Sequence, residues 1–344
     1  MRKRWSSVMG VKGAVIGALA GAALLGSATA SADRMDEIRD GGTLKIAVYN
    51  DFAPYSCVGL ERDLTGVDVE LANALGESLG VNVELFGFSA ADSMDADLER
   101  LMDEERDDSW RDDYFPDRAP DLMMHVPIDP VFAARNPEYE FTAGYFHEAM
   151  AVLYDREQLG ELPAVVNTPD PFIGERIGVE MYTLSYVFLT NGFDGRLRET
   201  TVNHKSVVEA VESLLKGDVS AVMAPRGELH AALATFPEVE GSFGMSGLDD
   251  LFRTDRVRSA WDVGVALQSG NPALQEAVEQ AMADLIEDGT VAEIFGYYGI
   301  AWTAARGETS ANGAMPAGDG PAGVARQGLD RSRVCRATVP AGLY

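Results

Sequence analysis

The chain has 344 residues and a formal net charge of −27, from 55 acidic against 28 basic side chains, with only two cysteines. So acidic a field repels nucleic acid and anionic lipid, which excludes a nucleic-acid partner. Two cysteines are too few for a disulfide-framed or zinc-ribbon fold, whereas the length suffices for two ordinary domains.

The first feature in chain order is a leader. Met1-Arg2-Lys3-Arg4 precedes an apolar run from Gly13 to Leu25 and then Ala30-Ser31-Ala32, the charged, apolar and small-residue parts of a signal peptide over 1–32. The run is short and rich in glycine and alanine, and no charged stop-transfer flank follows it. Cleavage near Ala32 and release into the periplasm are therefore expected. An oxidising compartment would permit a Cys57–Cys335 disulfide, although the spacing does not argue for one.

From Thr43 onward, short β-rich runs alternate with helical patterns, which predicts an α/β protein with parallel sheets. The strands are read at 44–49, 81–86, 121–125, 149–154, 176–179, 219–223 and 263–267. A helix is predicted from Val67 to a Gly80 stop. The capping box Ser206-Val207-Val208-Glu209 opens a second helix, and Asn271-Pro272 opens a third that ends at Gly289. Residues 89–120 form an acidic insertion in which Met94, Leu98, Leu101 and Met102 recur at helical spacing. Asp95, Asp97 and Glu99 alternate there without the glycine and terminal glutamate of an EF-hand loop, so a solvated face is read and no metal. Residues 303–344, rich in Gly, Ala, Pro and Ser, read as a disordered tail.

The segments Gly42 to Val48 with Pro54-Tyr55, Gly66 to Ala72, Pro120 to Met124, Phe141 to Tyr145, Gly174 to Glu180, Leu215 to Val222 and Gly289 to Phe295 resemble, in order, those of the extracellular solute-binding proteins, family 3, polar amino acid type. The resemblance covers roughly residues 43–302. It implies a periplasmic binding protein-like α/β fold: two α/β lobes joined by two crossover strands, with the ligand cleft between them. Lobe one would take 43–147 and 255–302, and lobe two 148–254. In open α/β sheets ligands collect at strand C-termini and helix N-termini, and closure is a hinge motion.

Two departures bear on the ligand. Family members that bind amino acids carry a Thr-x-x-Arg element after the third strand, whose arginine clamps a carboxylate; here the stretch reads His125-Val126-Pro127-Ile128-Asp129. Where they place an acid for the ammonium, this chain has Ala224-Pro225-Arg226. The resemblance with these departures implies a small polar or anionic ligand other than an ordinary amino acid. The variant stretches also resemble binding-like proteins associated with quinoprotein alcohol dehydrogenases.

The candidate ligand-binding residues are Asn50, Asp51, Phe52 and Tyr55 after the first strand, whose aromatics could sandwich a planar group, and His125 and Asp129 at another strand mouth. Thr183 and Ser185 could bind an anion at a helix start or simply cap it. Arg226, which places a cation where the family has an acid, favours an anionic or aromatic ligand, against the alternative of a surface ion pair. The function the resemblance implies is delivery of a small polar or anionic ligand to an ABC permease by a monomer without cofactor. The alternatives are an accessory protein of a periplasmic quinoprotein dehydrogenase and, behind it, a cyclohexadienyl dehydratase-like enzyme with Asp51, Asp129 or Glu180 as its acid.

Overall fold

A computed structural model describes residues 34–59, 62–91, 93–102, 119–236, 242–248 and 259–307. The leader, the second half of the acidic insertion and the chain beyond Gly307 lie outside the described residues. The first half of the molecule holds α1 (Arg34–Gly41), β1 (Thr43–Tyr49), β2 (Asp51–Phe52), β3 (Ser56–Val58), β4 (Leu64–Thr65), α2 (Val67–Leu79), β5 (Asn82–Phe88), α3 (Met94–Met102), β6 (Leu122–Ile128), α4 (Pro130–Arg135) and β7 (Tyr139–Phe141). The long β8 (Phe146–Asp155) leads into α5 (Arg156–Leu159), β9 (Ile177–Glu180), α6 (Leu184–Asn191), β10 (Thr201–His204), α7 (Val207–Leu215), β11 (Ala221–Pro225), α8 (Arg226–Ala234) and β12 (Phe243–Gly247). β13 (Ala260–Gln268) returns the chain to α9 (Pro272–Glu287) and α10 (Thr290–Tyr297).

Every predicted strand and helix is present, and four local signals explain most of the boundaries. Gly80 takes φ 72° and closes α2 as a left-handed cap, a conformation that costs glycine nothing. Ser206 accepts from Glu209 N at the start of α7, while the Glu209 carboxylate accepts from Lys205 N, which is a capping box one residue longer than the usual reach. Pro272 opens α9 from Asn271. The acidic stretch does form the amphipathic α3, with Leu98 and Leu101 fully buried.

The sheet is mixed rather than parallel. Its strand order is β10-β9-β11-β8-β13-β6-β1-β5, with β12 beside β8 and β7 beside β13. β1, β5 and β6 run parallel, as do β9, β10 and β11, but β8 and β13 are antiparallel to their neighbours. The antiparallel pair follows from the topology, because a chain that leaves one lobe and returns must cross in opposite directions. β8 pairs with β13 over Phe146 to Ala149 and with β11 from Met150 onward, so one strand belongs to both sheets.

Each lobe has a core on both faces of its sheet. In lobe one, Leu71 and Leu75 of α2 pack with Val278 and Leu285 of α9 and Phe295 of α10 on one face, while Phe88, Leu98, Leu101 and Met123 fill the other. In lobe two, Ile177, Val179 and Leu189 lie on one face and Val211, Leu214 and Leu229 on the other. Each fully buried aliphatic side chain contributes roughly 1.5–3 kcal/mol.

Residues 303–307 correct the tail reading. Trp302 Nε1 donates to the Tyr145 carbonyl at 2.9 Å, His147 N to Thr303 O at 2.8 Å, and Arg306 N and Gly307 N to the Asp262 carboxylate at 2.8–3.1 Å. The segment thus binds both crossover strands, because backbone hydrogen bonds to a fixed sheet edge need no apolar side chains of their own. Cys57 is disulfide-bonded, and the sequence holds one other cysteine, Cys335.

Candidate functional site: an aromatic and carboxylate cluster between the lobes

The C-terminal ends of β9 and β11 lie side by side because the strands are parallel neighbours, with Ile177 opposite Ala221. That register brings Glu180, at the end of β9, to the same edge as Gly227 and Glu228 in the first turn of α8. The lobe-two half of β8 runs antiparallel beside them, Met150 opposite Pro225, which places Glu148 there as well. From lobe one, the loop between β2 and β3 brings Tyr55 up to the same point.

Tyr55 is 1% exposed and its hydroxyl donates to Glu148 Oε2. Glu148, also 1% exposed, accepts from Ala149 N at 2.8 Å and from Gly227 N at 3.4 Å through Oε1. The Tyr55 ring lies 4.2 Å from the His125 imidazole, centroid to centroid, and Phe52 stands edge-on to that imidazole at 4.8 Å. Both distances are those of attractive aromatic pairs.

His125 sits in a distorted part of β6. Between the pairs Val126–Gly264 and Met123–Ala266 the ladder slips, so Met124 and His125 together face the single residue Val265. His125 takes φ +61°, a left-handed conformation rare for a side chain of this size and tolerated where surroundings over-determine it. The surroundings do so here: Asp68, fully buried in the first turn of α2, has a carboxylate oxygen 3.1 Å from His125 Nδ1. The Tyr145 hydroxyl donates to the other Asp68 oxygen at 3.0 Å. The bulge turns the imidazole towards Tyr55 and Phe52, as β-bulges near sites commonly re-aim a side chain.

The electrostatics are those of a crowded acid cluster. Burial, then the nearby charges of Glu180 and Glu148, holds the Glu228 carboxyl well above the usual carboxylate range. Burial raises Glu148 too, against the lowering effect of its hydrogen bonds from Tyr55, Ala149 and Gly227. Glu180 is raised by burial although Val207 N donates to it at 3.2 Å. Burial followed by the Glu148 charge pushes the Tyr55 hydroxyl up. Like-charged carboxyls in a poorly solvated space favour a shared proton or a bound cation.

The predicted residues divide accordingly. Phe52, Tyr55 and His125 come together in one stack. Asn50 and Asp51 lie at the end of β1, where Ser89 Oγ donates to Asn50 Oδ1 at 3.0 Å and Asp51 is exposed. Asp129 caps α4, accepting from Val131 N at 2.7 Å and Phe132 N at 2.9 Å. Thr183 caps α6, accepting from Tyr186 N at 3.3 Å, and the Ser185 hydroxyl is buried with no hydrogen-bond partner among the described residues. Arg226 opens α8 one turn from His230, and burial together with its positive charge takes the His230 imidazole down to about 4. A hollow of about 340 Å3 beside Asp129, lined by Ile128, Pro130, Tyr139 and Phe141, includes none of the cluster.

Sequence reading missed Asp68, Tyr145, Glu148 and Glu228. A signal for one of them existed: His147-Glu148 precedes the apolar run Ala149 to Tyr154 within one strand, and a buried acid there needs partners.

Two lobes, twin crossover strands and a cluster at the strand ends between them define the periplasmic binding protein architecture. No family model matches the chain. It is 26% identical over 281 residues to the L-cystine-binding protein TcyJ of Escherichia coli (strain K12), covering 81% of this chain and 91% of that one. It is 24% identical over 274 residues to ABC transporter arginine-binding protein 1 of the same organism, covering 79% and 95%. A shorter match, 39% over 71 residues, is to the cyclohexadienyl dehydratase of Pseudomonas aeruginosa, covering 20% of this chain and 26% of that enzyme. Among solved structures, an ancestral cationic amino acid solute-binding protein superposes with a TM-score of 0.56 at 19% identity, over 77% of this chain and 99% of that one. The relatives matched over most of this chain are thus a cystine-binding and an arginine-binding protein, and the chain has the fold of the family 3 solute-binding proteins.

Proposed function

We propose that this protein is an exported solute-binding protein that closes on a small ligand bearing a cationic group and presents it to an ABC permease. The observation that carries the cationic reading is the convergence of Glu148, Glu180 and Glu228 beside the Phe52, Tyr55 and His125 rings. Carboxylates that raise one another's proton affinity are relieved by an ammonium or guanidinium, which an aromatic face also attracts. The names of an arginine-binding relative and a cationic amino acid-binding neighbour agree with this class. The arginine expected to clamp an α-carboxylate is missing after β6, so the cationic end supplies the recognition.

In this reading Phe52, Tyr55 and His125 form the aromatic wall, and Asn50, Asp51 and Asp129 belong to the rim. Thr183 and Ser185 lie at the start of α6, and Arg226 stands outside the acid cluster. Lobe one takes 43–147 and 255–302, lobe two 148–254, and cleavage near Ala32 releases the mature chain to the periplasm. The role is binding rather than catalysis.

The test is a thermal-shift screen of residues 33–344 against L-arginine, agmatine, putrescine, choline, L-cystine, organic acids, pyrroloquinoline quinone and a cyclohexadienyl acid. A ligand at a hundredfold excess over its dissociation constant adds about 2.7 kcal/mol. A cationic compound should shift the midpoint, and the shift should vanish in Glu228→Gln. A response to an organic acid that is lost in Arg226→Ala would return the reading to an anionic ligand. No response, with a dehydrogenase recovered from periplasm, would favour the accessory role.

A further inference from the structure

Glu148 lies just before the point at which β8 changes sheets: Glu148 and Ala149 pair with β13, and Met150 pairs with β11. Its two oxygens look in different directions. Oε2 takes the Tyr55 hydroxyl from lobe one, and Oε1 takes Gly227 N from the first turn of α8 in lobe two. A single carboxylate at the crossover therefore holds a donor from each lobe.

Gly227 adds a second, independent observation. A Cβ built there would lie 2.1 Å from Tyr55 Oη and 2.9 Å from Glu148 Oε2, and the glycine has no left-handed φ to account for it. Within a helix glycine costs roughly 1 kcal/mol relative to alanine, so its presence is explained by the approach of Tyr55 rather than by the helix.

We propose that Tyr55, Glu148 and Gly227 form an inter-lobe latch, in which Glu148 is the positioning residue that sets how closely α8 approaches lobe one when the cleft shuts. This rests on the solute-binding reading, because it assigns the closing device of that same cleft. Opening the hinge carries the Tyr55 hydroxyl of lobe one away from a carboxylate that stays with Gly227 in lobe two, so the latch makes closure a two-position event.

The experiment measures the distance between spin labels at Glu77→Cys on α2 and Lys216→Cys after α7, both exposed positions, in the otherwise intact oxidised mature chain without ligand. Wild type should show a short-distance population. Gly227→Ala should lower the closed-to-open ratio by about tenfold, about 1.4 kcal/mol, by overpacking the seam. Its thermal midpoint should not fall, since alanine suits the helix. Tyr55→Phe, which removes the hydroxyl that Glu148 holds from lobe one, should lower the ratio as well, and the Tyr55→Phe, Gly227→Ala double variant should be less than additive because both changes act on one contact; a glycine unconnected to Tyr55 would give additive effects. A wild type without a short-distance population, an unchanged ratio in Gly227→Ala or in Tyr55→Phe, or strictly additive effects in the double variant would each overturn the latch. Because no ligand enters the comparison, failure of the latch is distinct from failure of the binding reading, which the thermal-shift screen reports.

Discussion

Replacing Tyr145 with phenylalanine isolates the network that holds His125 in its strained position. Tyr145 is fully buried, and its hydroxyl donates to Asp68 Oδ1 at 3.0 Å. Phenylalanine fills the same volume, so the change is one hydrogen bond lost from a buried carboxylate oxygen whose other partner is His125 Nδ1 at 3.3 Å. For a bond to a charged group this costs about 1.5–3 kcal/mol. In a protein of this size each kcal/mol moves the midpoint by about 2–4 °C, which predicts a fall of about 3–12 °C by calorimetry at neutral pH. Asp68→Asn should be less than additive with it, because both substitutions remove members of one network. A midpoint within about 1 °C of wild type, or strict additivity, would refute the claim that this hydroxyl supports Asp68 and through it the His125 bulge.

If the ligand is cationic, its affinity should rise with pH through and above the ordinary carboxylate range. Glu148, Glu180 and Glu228 are all raised from the ordinary carboxylate value by burial, and each must give up its proton to hold a cation; titration calorimetry with L-arginine from pH 5 to 8 reads this, and flat or falling affinity sinks it. Asp262→Ala should free the segment after Trp302 and speed tryptic cleavage after Arg306, since three donors meet at that carboxylate. Despite partial burial, which raises it, the Asp262 pKa is lowered by hydrogen bonds from His147, Arg306 and Gly307. Its stabilising effect is therefore present above the unfolded carboxylate value and lost as pH falls through the lower folded one. An unchanged cleavage rate would count against the strap. Reduction of Cys57, or Cys335→Ser, should lower stability by about 2–4 kcal/mol through release of a long closed loop, and a denaturation curve indifferent to reductant would disprove that tether.

The sequence by itself determined the elements that local chemistry specifies. The α2, α7 and α9 starts and stops lie in Gly80, Ser206 with Glu209, and Asn271-Pro272, where a cap or a ring constrains the backbone whatever surrounds it. Runs such as 44–49, apolar apart from Lys45, and 263–267 are short and bounded by turn residues, which marks them as strands covered on both faces. The tertiary structure alone decided which way those strands run, because the antiparallel sense of β8 and β13 comes from the chain's exit and return between lobes. It also decided the site. Thr183 and Asp129 carry side chains that serve either a ligand or a helix end, and hydrogen-bond geometry assigns their visible role to the helix ends. Arg226 and Glu228 are two residues apart, yet one lies with His230 and the other among acids, since two positions along a helix point about 200° apart. Glu148, Asp68 and Gly227 matter through partners 79 to 93 residues away for Glu148 and 57 to 77 for Asp68, separations that no local pattern records.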